Sequence, residues 1–135
     1  MTSLGRAVMA FAALLVVFVI TSCGTSQANG SVVKVGARSA VELIEAGDHV
    51  VLDLRSPEAF AAGHSRGAVN LHARAGDFED RVEELEGTTY LVYAQTAERS
   101  ATVADVMVGL GIERVLDAGS FGMLAIAGAA VEGHE

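Results

Sequence analysis

The stretch Val51–Leu71, VLDLRSPEAFAAGHSRGAVNL, decides how this chain folds. It begins inside the apolar run His49–Leu54 (HVVLDL), which is short and bounded by a polar turn. Such a run suits a strand covered on both faces, as in a parallel sheet. Ser56 and Pro57 follow. A serine hydroxyl can accept from an orphan N–H at a helix start, and proline there lacks only a donor that the helix would not use. A helix of one to two turns is therefore expected from Pro57, ending at Gly63. Ala68–Leu71 then reads as another short strand.

The same alternation extends in both directions. Upstream, Val32–Val35 is β-like, and Ser39-Ala-Val-Glu42 has the form of a capping box. The helix it opens turns Val41 and either Leu43 or Ile44 inward and ends at Gly47. Downstream, Asp77–Leu85 reads as a helix with Phe78, Val82 and Leu85 on one face. Thr89–Tyr93 (TYLVY) is strongly β-prone, and Ala94–Glu98 is expected to be a loop. Ser100–Leu110 reads as a helix with a stripe of Val103, Val106, Met107 and Leu110, closed by Gly111. Arg114–Leu116 is expected as the last strand and Phe121–Ala127 as the last helix, with Met107 and Met123 as core residues. Strands alternating with helices imply an α/β fold: three layers, α/β/α, around a small parallel sheet. There is no internal repeat and no second domain boundary after residue 31.

The chain has 135 residues, enough for one domain. Its 51% hydrophobic content excludes a disordered chain, although part of it is local. Ala7–Ile20 (AVMAFAALLVVFVI) is uninterruptedly apolar and follows the single positive charge of Arg6. That run has signal-peptide length and is shorter than the roughly 20 residues that span a bilayer core. Ile20-Thr21-Ser22-Cys23 resembles a bacterial lipobox. The resemblance implies a signal peptide at 1–22, a lipid-bearing Cys23 and a tether through residue 31 (GTSQANGS after the cysteine), followed by a domain at 32–135. Two acyl attachments hold a protein stably where one does not. The expected location is the bacterial envelope, on the extracytoplasmic side of the membrane. An uncleaved signal anchor and an ordinary signal peptide are the alternatives.

Cys23 is the only cysteine, so no internal disulfide can form, and lipidation would leave no free thiol. Of nine basic residues Arg6 alone precedes Cys23, whereas all 17 acidic residues follow it. The part after Cys23 is thus more acidic than the whole chain at −8. Such a body has no electrostatic footprint for nucleic acid or for an anionic membrane surface.

The Val51–Leu71 stretch resembles the opening signature of the rhodanese family. There a strand ends in Asp-x-Arg, a short helix follows, and Gly-His-x-x-Gly-Ala precedes the next strand. Asp53, Arg55, Glu58, Phe60, Gly63, His64, Gly67, Ala68 and Asn70 fall on the family's usual types, while Arg66 stands where Pro is usual. Leu91–Ala104 (LVYAQTAERSATVA) is similar to the family's active-site strand, loop and helix, with Arg99, Ser100 and Ala101 matching. Val115–Gly122 (VLDAGSFG) resembles its closing Gly-rich turn, with Leu124 for the usual Trp.

The departure lies in the loop Ala94, Gln95, Thr96, Ala97, Glu98 and Arg99. By the resemblance, Ala94 stands at the nucleophilic cysteine and Ala97 at the loop glycine. Rhodanese chemistry needs a thiolate that becomes a persulfide, stabilised by loop N–H groups and a helix amino terminus. A methyl group cannot do this, nor can the Thr96 or Ser100 hydroxyl. Phosphatases of this fold use the same cysteine. The resemblance therefore implies a catalytically inactive domain acting as a binding or interaction module, whose partner is a protein or a small anion held at 94–99. Two alternatives stand: a sulfurtransferase whose thiol a partner supplies, and an unsuspected enzyme using Asp53, Arg55, His64 or Arg99.

For the remaining polar residues the structural reading comes first. His64 is expected to fix the helix-to-strand corner through a backbone hydrogen bond. Asp53 and Arg55 are expected to pair and hold the loops, with Gly63 and Gly67 at the corners of the motif. For Arg99 an anion-pocket role and a surface pair with Glu98 or Asp105 stay open together. His49, His72 and His134 lack metal-ligand spacing, so neither a metal nor a cofactor is implied.

Overall fold

The computed structural model describes residues 29–133. The expected signal peptide, Cys23, the expected tether up to residue 28, and His134 lie outside the described residues. In chain order the elements are β1 (Ser31–Lys34), α1 (Ala37–Ala46), β2 (Val50–Asp53), α2 (Pro57–Ala62), β3 (His64–Ser65) and β4 (Val69–Asn70). They continue with α3 (Phe78–Glu83), β5 (Thr89–Ala94), α4 (Ala97–Gly109), β6 (Arg114–Ser120), α5 (Phe121–Ile126) and β7 (Val131–Glu132).

The TYLVY run forms the centre of a five-stranded sheet in the order β1-β6-β5-β2-β4. All four pairings are parallel. Strand periodicity divides the core between the two faces. From β5, Tyr90, Val92 and Ala94 join Leu52 and Leu54 of the β2 region against Phe78 and Val82 of α3 and Ala104 and Met107 of α4. Leu91 and Tyr93 join Val51 on the opposite face, against Ala40 and Val41 of α1, Phe60 of α2 and Leu124 of α5. The result is the three-layer α/β/α arrangement.

Several element boundaries differ from expectation, each for a local reason. β1 begins at Ser31, inside the expected tether, because the Ser31 N–H donates to Glu113 O (2.8 Å) and Ser31 registers with Arg114. α1 starts at Ala37 rather than at the Ser39 capping box. Its N-cap is Gly36, extended and without a side-chain cap, whose carbonyl accepts from the Ala40 N–H (2.9 Å). Gly47 does end it, at φ 74°, as a left-handed cap. α4 opens at Ala97, since the Thr96 hydroxyl caps it by accepting the Arg99 N–H. The expected loop 94–98 thereby shrinks to Gln95 and Thr96. Met123 and Val106 are exposed rather than buried, whereas Met107 lies fully in the core. β3 and β7 pair with each other antiparallel and have no counterpart in the sequence reading.

Among the described residues no helix is long and apolar enough to cross a membrane.

Candidate functional site at the carboxyl ends of the strands

The signature residues around β2 assemble one buried polar network. Asp53 ends β2 with its side chain fully buried. It accepts the Arg55 N–H (2.9 Å) and the guanidinium through Nε (3.0 Å) and an Nη (2.7 Å). The same Nη donates to Gly63 O (2.6 Å). Asn70 clamps the turn from β4, its amide donating to Asp53 O (3.1 Å) and Arg55 O (2.9 Å). From β5 the Tyr93 hydroxyl donates to Asp53 (2.7 Å) and accepts the Ser65 N–H (3.0 Å). Arg55 also lies 4.0 Å from the Phe121 ring centroid, a cation–π distance. Burial, reinforced by the hydrogen bond to Asp53, raises the Tyr93 phenol well above its ordinary value. A buried pair made fully satisfied in this way fixes geometry.

His64 stacks on Phe60 at 3.7 Å between centroids, and its Nδ1 lies 2.8 Å from Phe60 O. Its Nε2 faces Glu132 at 3.8 Å, and the Arg66 Nε lies 3.5 Å from the other oxygen of that carboxylate. Gly67 takes φ 76° at the turn into β4, a conformation that suits a residue without Cβ. Asp53, Arg55 and Gly63 thus meet directly. His64 and Gly67 stand beside them at the corner with the carboxyl-terminal strand.

Ala94 is buried at the end of β5, in register with Ser120. Gln95, Thr96, Ala97, Glu98 and Arg99 are all exposed. Beneath them Ser100 donates to Asp117 (2.6 Å), which also accepts the Gly119 N–H (3.0 Å), tying the start of α4 to β6. Thr96 engages the Arg99 N–H through its hydroxyl (3.2 Å) and the Ser100 N–H through its carbonyl (3.1 Å). Of the first-turn donors, those of Ala97 and Glu98 are left without an intrahelical acceptor by helix geometry.

Beside this turn opens a cleft of about 380 Å³ lined by Leu54, Arg55, Ser56, Ala59, His72, Ala73, Arg74, Gln95 and Arg99. No carboxylate lines it, although the chain carries a net charge of −8. Arg99 makes no ion pair with Glu98 or Asp105 among the described residues and stands at the cleft wall. A hollow of similar size at the opposite edge of the sheet faces one acid and one base, Glu113 and Arg114, and so has no such bias. Among the described residues no group of His, Cys, Asp and Glu side chains could hold a metal ion.

The family profile for the rhodanese-like domain matches residues 36–123. The chain belongs to the rhodanese-like family. Solved structures of this fold include the Alr3790 protein from Anabaena sp., 22% identical, covering 73% of this chain and 91% of that one at a TM-score of 0.65. A rhodanese-related protein from Thermoplasma volcanium is 24% identical over 74% of this chain and 97% of its own, at 0.63. At such identities the likeness concerns the fold. No curated protein matches the sequence.

In this rhodanese-like domain the sequence reading weighed His72 only as a metal ligand and overlooked Arg74. They follow β4 in a turn with no motif of their own, and only the β2–β4 pairing brings them to the loop after β5. It also overlooked Tyr93 and Asp117, whose polar groups sit within apolar strands. A lone polar atom in such a strand, needing a partner once buried, was the available signal.

Proposed function

We propose that this protein is a membrane-tethered, non-catalytic rhodanese-like domain of the bacterial envelope that binds small organic anions in the cleft at the carboxyl ends of β2, β4 and β5. Cys23 would carry the lipid anchor, as the lipobox resemblance implies. One observation carries the reading: Ala94, which by the resemblance stands at the family's thiol position, is buried beside a cleft with Arg74, Arg99 and His72 on its walls and no carboxylate. Sulfur transfer needs a nucleophile that can form a persulfide, and this position supplies none. Anion binding needs only fixed donors and positive charge, which the cleft has. Leu54, Ala59 and Ala73 add apolar walls, so a carboxylate or sulfonate on a small apolar body suits it better than a bare inorganic ion.

Two measurements on the full chain test this. A thiosulfate-to-cyanide assay should give no thiocyanate above the uncatalysed rate. Titration with phenylacetate should shift the amide resonances of Gln95 and Arg99, with inorganic sulfate shifting them less. Thiocyanate formation, or phenylacetate binding elsewhere than the cleft, would overturn the reading.

A further inference from the structure

We infer, resting on the anion-binding reading of the cleft, that Nη1 of Arg55 is its fixed donor and takes one oxygen of the ligand's carboxylate or sulfonate. Arg55 lines the cleft although it is only 8% exposed. Nearly all of its polar atoms are already engaged. The backbone N–H donates to Asp53, and the backbone carbonyl accepts from the Asn70 amide. Nε and Nη2 hold the Asp53 carboxylate along one edge of the guanidinium, and Nη2 also donates to Gly63 O. Nη1 makes no hydrogen bond among the described residues. It is not sealed from solvent either. Among the described residues, the fully buried side-chain nitrogen and oxygen atoms without a partner are His49 Nδ1 and Ser65 Oγ. Nη1, with its two N–H groups, is therefore the polar atom that Arg55 has left to offer the cleft.

This donor differs in kind from Arg74 and Arg99. Those two side chains are exposed, so the attraction they supply is screened by salt and fixes no orientation. Arg55 brings little net charge, because Asp53 neutralises it at 2.7 Å. What it brings is position. The two-point hold on Asp53, the bond to Gly63 O and the Phe121 ring against the guanidinium (4.0 Å) immobilise the plane. A ligand oxygen that meets a donor already fixed loses less freedom than one that must order a free side chain. The acid group of the ligand then points at the signature turn, and its apolar body lies along Leu54, Ala59 and Ala73.

Side-chain guanidinium spectra of the full chain labelled with nitrogen-15 arginine test this, with Arg74→Gln and Arg99→Gln assigning the exposed arginines. Phenylacetate should shift the Arg55 Nη1 signal and slow the exchange of its protons with water several-fold. Both effects should persist in about 1 M sodium chloride, where the screening length falls to about 3 Å. Arg55→Lys keeps a positive charge for Asp53 and Gly63 but has no second nitrogen for the cleft. Its affinity for phenylacetate at high salt should fall roughly tenfold or more. If that variant loses its cooperative melt, the wild-type spectra decide alone. Shifts at Gln95 and Arg99 with Arg55 Nη1 unmoved would overturn the role of Arg55 while leaving the anion cleft standing, as would unchanged affinity in a folded Arg55→Lys. No shift at any of the three residues would overturn the anion cleft and the role of Arg55 with it.

Discussion

The Tyr93 hydroxyl stands 2.7 Å from the Asp53 carboxylate, joining neighbouring strands across 40 residues of sequence. Through it the β5 strand, which leads into the 94–99 turn, is locked to the β2 signature. The same oxygen accepts the Ser65 N–H, so one phenol secures three segments.

Tyr93→Phe removes that oxygen, leaving a buried amide without its acceptor and the carboxylate one donor short. The expected loss is about 1–3 kcal/mol in urea unfolding, the usual cost of an unsatisfied buried polar group. pH gives a second readout. The phenol is raised in the folded state, so the fold favours its neutral form. That contribution is complete below the ordinary value of 10 and falls away as pH rises beyond it. Tyr90, raised by burial and by Glu86, acts in the same direction. Stability of the wild type should therefore decline above pH 10, and Tyr93→Phe should decline less steeply.

Leu91→Asp should abolish cooperative unfolding altogether. Leu91 is fully buried in the central strand, between Val51 and Leu116 in register. A carboxylate there has no partner, and its desolvation costs several kcal/mol, comparable to the whole stability of about 5–15 kcal/mol. A thermal melt retaining a sharp transition would contradict the packing described.

Arg99→Gln and Arg74→Gln should each weaken phenylacetate binding roughly tenfold or more, as expected for losing a charge-assisted hydrogen bond of about 1.5–3 kcal/mol. Both side chains are exposed and outside the cores, so the melting temperature should hardly move. Calorimetric titration and a melt of the same samples separate the two effects. Unchanged affinity in both variants would mean that the arginines do not face the ligand.

Ala94→Cys tests whether the 94–99 turn still stabilises an anion. Arg99, Arg74 and the amino terminus of α4 favour a thiolate, while Glu98 and burial oppose one. The expected thiol pKa lies below the free value of about 8.5, and lower again with Glu98→Gln. The pH dependence of alkylation in a protein starting after Cys23 reports it. A value at or above the free one in both variants would show that Thr96, by engaging the Arg99 and Ser100 N–H groups, has closed the cradle.

How much of this could be read in advance varies with the length scale of the cause. The β2–α2 stretch was legible because its signals are local: Ser56 does accept the Ala59 N–H, with Pro57 beginning the helix. Thr96 was missed as a cap because the family pattern placed a loop there, although a threonine three residues before Arg99 has the spacing of a cap. The Ser39 box failed for the opposite reason. Its sequence is apt, but β1 hands the chain to the helix at Gly36, and the earlier start buries Ala40 and Val41 together. Met123 read as core because α5 is apolar throughout, yet it is Leu124 and Phe121 on that helix that pack against the sheet, while Met123 is exposed. His72 and Arg74 entered the cleft through strand order, which no local pattern encodes.

The place of β6 in the sheet has a consequence for the order of events in folding. It lies between β1 and β5, so the first strand pairs only with the last long strand to be made. Until Arg114–Ser120 is available, Ser31–Lys34 has no neighbour and α4 lacks the Asp117 anchor beneath its first turn. Contacts so distant in sequence slow folding, because a large loop must close before they are rewarded. A nascent chain ending short of Arg114 can collapse around β2 and β5 but cannot complete the sheet, and it remains open to unfolding until Arg114–Ser120 has been made.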